Sequence, residues 1–197
     1  MPIIAKGTNS DNFEIAPTGL QNALCVFAED IGTHSNEYKG ESKPKLTHKV
    51  VIVFQLEALI TEGKFAGQPF LLSIKENLSI DTRANLTAFL ESWRGRAFSD
   101  EQREQGFDVE KLINVPCTLS VIHKDKVRGG KKAVINMIVP KQPTAKTLEK
   151  IATKPPAWIQ NEREKSLEYQ EMAKKSEGLS ETMNPNELPV FDDDLPF

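Results

Sequence analysis

Residues 48–56 read HKVVIVFQL, and this stretch decides the fold class. His48, Val50, Ile52, Phe54 and Leu56 alternate onto one face, mostly apolar, while Lys49 and Gln55 fall on the other. A two-residue period belongs to a strand. Working outward, residues 69–76 (PFLLSIKE) repeat the pattern, with Phe70, Leu72 and Ile74 expected inward and Ser73 and Lys75 outward. Gly63 and Gly67 supply the turn between the two. Upstream, residues 23–31 (ALCVFAEDI) form a shorter apolar run. Downstream, residues 117–124 (CTLSVIHK) and 132–139 (KAVINMIV) alternate again, joined by KDKVRGGK.

The period changes once inside this series. Over residues 81–94, Leu86, Phe89, Leu90 and Trp93 recur at helical spacing, which predicts one amphipathic helix. Asp81 is the expected N-cap and Gly95 the expected stop. Ser99 with Gln102 reads as a capping box opening a short turn that ends near Gly106. The order strand, strand, strand, helix, strand, strand is that of the oligonucleotide-binding (OB) fold. The expected fold is therefore mainly β: a five-stranded Greek-key barrel with a helix between strands 3 and 4. An α+β sandwich is the alternative that the same order allows.

The remainder has a different character. KQPTAKTLEKIATKPPAW reads as a linker or an irregular wrap. Residues 158–175 are Pro-free and polar, and predict a mostly solvated helix whose few large apolar residues include Trp158, Ile159 and Leu167. From residue 178 no periodicity remains, which predicts disorder. The expected organisation is a nucleic-acid-binding domain over 1–150, a linker and polar helix over 151–177, and an acidic interaction tail over 178–197.

Charge follows the same division. The 197-residue chain is net −3, yet residues 1–154 carry +3 and residues 155–197 carry −6. A mildly basic body with an acidic appendage suggests an anionic ligand and an interaction tail. Charged residues are 27% and apolar residues 39%, and no run of about 18 apolar residues suggests a membrane span. The first residues lack the basic region and apolar core of a secretory signal, so a cytoplasmic protein is expected. Cys25 and Cys117 are too few for a disulfide framework and are expected as reduced core residues.

Cations cluster in two loops. Lys124, Lys126, Arg128, Lys131 and Lys132 place five positive charges in nine residues, opposed by Asp125. Tyr38, Lys39, Lys43, Lys45 and Lys49 occupy the connection between the first two strands. In an OB barrel these loops flank the binding face, and a tyrosine among lysines suits stacking with phosphate neutralisation. Phe54, Phe65 and Phe70 are candidates for base stacking or for the core. Arg94 and Arg96 close the helix and could bind phosphate or the helix C-terminus. His34, His48 and His123 are scattered, without metal-ligand spacing. Glu57, Glu62 and Glu76 raise a nuclease alternative, but solvated strand ends explain them better. The chain is read as a non-enzyme needing no cofactor and no metal.

The sequence closes on Asp192-Asp193-Asp194-Leu195-Pro196-Phe197. The aspartates suit a basic patch, and Phe197 offers a ring and a carboxylate to a cationic pocket. This ending resembles the acidic tip of bacterial single-stranded-DNA-binding proteins. With the strand near Gln21, FLESWRGRAFSDEQ and FDVEKLINVPC, the chain resembles the bacteriophage-encoded single-stranded-DNA-binding proteins of the OB type. The resemblance implies sequence-independent binding of single strands in replication or recombination. It also implies an OB barrel and recruitment of replication or recombination proteins by the tip; no membrane association is expected from the lack of an apolar run, and a homodimer is left open by the sequence. Two alternatives stand beside it: a recombination annealing factor, and an OB-fold adaptor that binds no nucleic acid.

Overall fold

The computed structural model describes residues 14–36, 44–127 and 129–171. Five strands form one open antiparallel sheet in the order β3-β2-β1-β4-β5: β1 (Gly19–Asn36), β2 (Lys45–Leu59), β3 (Pro69–Asn77), β4 (Pro116–Asp125) and β5 (Lys131–Pro140). Short helices α1 (Asn85–Arg94) and α2 (Asp100–Gln105) and a 3-10 turn (Val109–Leu112) lie between β3 and β4, and α3 (Ala157–Arg163) follows β5. No helix among the described residues is long and apolar enough to cross a membrane.

The strand β1 organises the sheet. Its first residues pair with β4, from Gly19 opposite Val121 to Leu24 opposite Pro116, and residues 23–36 pair with β2. Register shifts between Cys25 and Phe27, and again between Asp30 and Gly32, bend it. Extra residues of this kind increase local twist and curve a sheet. The inner face then closes over a core of Ala23, Cys25, Val50, Ile52, Phe54, Leu56, Leu119 and Val121, sealed by Leu86, Leu90 and Trp93 of α1. Trp93 donates its ring N–H to the Pro116 carbonyl, so the helix is tied to β4 as well as packed on the sheet. Burial pushes the Cys25 thiol up to about 12 and the Cys117 thiol upward too, so both stay protonated and unreactive at neutral pH.

The helix starts later than its sequence suggests. Ala84, not Asp81, is the N-cap, and no side chain caps it. Asp81 instead offers its backbone carbonyl to the Ala84 amide and the Thr87 hydroxyl, a turn that precedes the helix. Gly95 ends α1 at φ 67°, a left-handed conformation suited to glycine. The Ser99–Gln102 capping box on α2 is present in both directions.

The outer face of β1 and β2 is also covered. Leu24, Val26, Phe27, Ile31, Val51 and Val53 form a second apolar cluster closed by Ile159 of α3, with Leu148 and Ala152 against it. Gln55, 2% exposed, lies in this layer. Its carbonyl oxygen accepts from the amides of Ile151 and Ala152 at 2.8 and 2.9 Å, and its amide donates to the Glu149 carbonyl. Lys150 donates to the Val26 carbonyl at 2.8 Å with its ammonium 4.4 Å from the Phe27 ring centre. Residues 146–168 thus form a strap across the sheet, and the boundary expected at 150 falls inside it. The helix expected over 158–175 is interrupted at 164–166. Its last part, 172–175, lies outside the described residues.

Ion pairs hold the end of the strap. Arg163 meets Glu29 at 2.9 Å, and Glu162 meets both Lys75 and Lys165 at 2.6 Å. Gly32 permits the closest approach: at φ 77°, a side-chain carbon built there would lie 2.6 Å from Ser166 Cβ. Glu168 accepts from the Thr33 amide at 2.9 Å. Hydrogen bonding from Lys165 and then Lys75 holds the Glu162 carboxyl down at about 2. Hydrogen bonding from Thr33, through its side chain and its amide, does the same for Glu168. Both lie below the ordinary 4.5. Their contribution to attachment is therefore complete above roughly pH 4.5 and is lost as pH falls towards 2. Acidification over that window should detach residues 162–168 before the sheet unfolds. Hydrogen exchange at the Thr33 amide reads this directly: protection there that persists until the sheet amides themselves lose theirs contradicts it.

Candidate nucleic-acid interface

The β4–β5 hairpin is the most concentrated cationic feature. Its ladder runs out to Lys124 opposite Lys132 and Asp125 opposite Lys131. Beyond it the Lys126 amide donates to the Gly130 carbonyl, and the Gly129 amide to the Lys126 carbonyl. Gly129 and Gly130 both take positive φ, 85° and 79°, which is why KDKVRGGK can turn here. Lys124, Lys126, Lys131 and Lys132 are all exposed, and Val127 at the tip is fully exposed. Arg128 lies outside the described residues. Asp125 and Lys131 attract one another, whereas Lys124 and Lys132 repel. Like charges directly opposite on a sheet are destabilising.

The first cationic cluster is only partly visible. Lys45 and Lys49 stand on the first half of β2, while Tyr38, Lys39 and Lys43 lie outside the described residues. The register separates the two clusters. Lys45 pairs with Asn36 at the last residue of β1, while β4 runs past Gly19, the first residue of β1, to reach its hairpin. Lys45 and the described hairpin lysines therefore sit at opposite ends of that long strand. Lys45 shares a cleft of about 610 Å³ with His48, Glu76 and Arg83. Arg83 was not singled out by sequence, because it stands alone in a polar turn.

The remaining candidates take other places. Phe54 is fully buried, 5.4 Å from the Trp93 ring and 6.0 Å from Phe89, and Phe70 is 7% exposed. Both are core side chains with no face open for a base. Arg94 lies 4.0 Å over the Phe98 ring and donates to Gln102, so it braces α1 against α2. Arg96 is exposed, one residue beyond Gly95, which abuts Pro140 at the far end of β5 from the hairpin. The aromatic rings that reach solvent among the described residues include Phe65, Trp158 and Tyr169, about 40% exposed each. Phe65 carries Lys64 at 5.8 Å. Trp158 and Tyr169 belong to the polar stretch that predicts a solvated helix, and nothing in their spacing marks them as a surface. The tip residues Asp192, Asp193, Asp194, Leu195, Pro196 and Phe197 lie outside the described residues.

No protein-family model matches the chain, and no curated protein matches it.

The histidines serve local structure. His48 bridges the Asp30 carboxylate at 2.9 Å and the Thr33 hydroxyl at 3.0 Å, beside Glu168. His34 meets the Ile31 carbonyl and His123 the Ala16 carbonyl. Among the described residues no three His, Cys, Asp or Glu side chains gather as a metal site.

Proposed function

We propose that this chain binds single-stranded DNA without sequence preference, in phage replication or recombination, and recruits partner proteins through its acidic C-terminal tip. The connectivity supports an OB-type barrel: β1 is shared and bent, β3 approaches β5, and α1 lies between β3 and β4 over the inner face. The observation that carries the reading is the Lys124–Lys132 pair. Two like charges held opposite each other at the end of a ladder cost stability, and a phosphate between them removes that cost. The neighbouring Lys126 and Lys131 extend the same field over the tip. Body and tail charge of opposite sign fit a polyanion at one and protein partners at the other.

Fluorescence anisotropy with labelled single-stranded, duplex and RNA oligonucleotides over a salt series tests this. Single-stranded DNA should bind more tightly than duplex. The affinity should fall with salt at a slope of about −0.7 per phosphate neutralised. No binding of single strands at low salt would overturn the reading.

A further inference from the structure

An OB barrel offers a ligand the outer face of its second and third strands. In this chain the strap occupies much of that outer side. Val51 and Val53 of β2 are buried beneath it, Gln55 is bonded into it, and Lys75 of β3 is paired with Glu162. The covered surface is apolar and buried like a core, and the Gln55 amide within it is satisfied by strap backbone. Such a layer is part of the fold.

The other half of the outer face is less covered: Gln142 and Ala145 share a cleft with Leu20 and the buried Thr118, while Ser120, Ile122 and Val134 are half-buried. On β4, Leu119 and Val121 face the core, so Ser120, Ile122 and Lys124 face outward. Their register partners on β5 are Met137, Val134 and Lys132, and Leu20 of β1 lies opposite Ser120. Leu20 is 66% exposed and Met137 51%. The result is an apolar strip, two cations wide at one end, running continuously into the lysine-bearing hairpin. Asp125 belongs to the opposite side of the hairpin, with Val121 and His123. At the far end Glu57, which lines a cleft with Leu20, accepts a hydrogen bond from Asn22.

We infer that single-stranded nucleic acid lies along the outer face of the first residues of β1, β4 and β5, with phosphates at Lys124 and Lys132 and bases against Met137 and Leu20. This inference rests on the proposed function. The strip supplies what a single strand needs, apolar contact for bases beside charge for the backbone. The charge complementarity is one-sided, which favours a polyanion over a second copy of this chain.

The test uses the full chain and a labelled oligothymidine at low salt. Leu20→Glu with Met137→Glu should weaken binding at least about tenfold, because bases lose contact and phosphates meet new negative charge. Both positions are exposed, so the fold should persist; circular dichroism checks it. A second measurement needs no variant: bromodeoxyuridine in the oligonucleotide, photo-cross-linked to the wild-type protein, should mark peptides containing Leu20 or Met137. Cross-links on Phe65, Trp158 or Tyr169 instead, with the double variant binding normally, would overturn the inference and leave the proposed function standing. A wild-type chain that binds no single strand would overturn both.

Discussion

Phe54→Ala should be among the most destabilising single substitutions in the sheet, costing about 3–5 kcal/mol. The ring is fully buried between β2 and α1, in tilted contact with Trp93 and Phe89. Truncation leaves a cavity under a helix of only ten residues, which has little freedom to collapse into it. Denaturant unfolding measures the loss. The same variant separates packing from recognition. Its single-strand affinity, corrected for the folded fraction, should equal that of the wild type. A selective loss of affinity in a fully folded Phe54→Leu protein would restore this ring as a stacking surface.

Reversing the opposed lysines should have the largest effect on binding. Lys124→Glu with Lys132→Glu replaces a repulsive cationic pair by a repulsive anionic one, so the hairpin's own stability should change little. Phosphate, however, meets the opposite sign. Single-strand affinity should fall on the order of a hundredfold at low salt, and the salt slope should flatten by roughly 1.4, two phosphates at about 0.7 each. Matched anisotropy titrations at two salt concentrations give both numbers. Unchanged affinity would remove the hairpin from the interface.

Where sequence and structure agree, the signal was local. The stripe of Leu86, Leu90 and Trp93 needs nothing beyond one helix face to be read, and the Ser99–Gln102 box lies within four residues. The full length of β1 was hidden because its register shifts near Val26 and Ile31 exchange inward and outward positions partway along, which breaks the alternation. Gln55 looked like an outward polar residue in an apolar strand. Its partners lie 94 to 97 residues away, beyond any local pattern. Ile159 was one apolar residue in a charged helix, and one residue makes no stripe, yet it closes the second cluster. At the candidate site, composition located the lysines. Only register could show that Lys124 and Lys132 oppose each other and that Lys45 lies at the other end of β1 from them.

The strap also sets the order in which the molecule can be completed. The Arg163 and Glu168 bonds to β1 span 133 to 135 residues, and those of Lys146 and Lys150 to β1 span 124. Contacts so distant along the chain form late, since the intervening loop must be closed first. A nascent chain therefore carries Leu24, Val26, Phe27, Val51 and Val53 uncovered until Ile159 has been synthesised. During that interval the hairpin of β1 and β2 is a twisted ribbon with an apolar back, the kind of surface that chaperones hold and that pairs wrongly at high concentration. Shortening the protein ahead of Ile159 would make that transient state permanent.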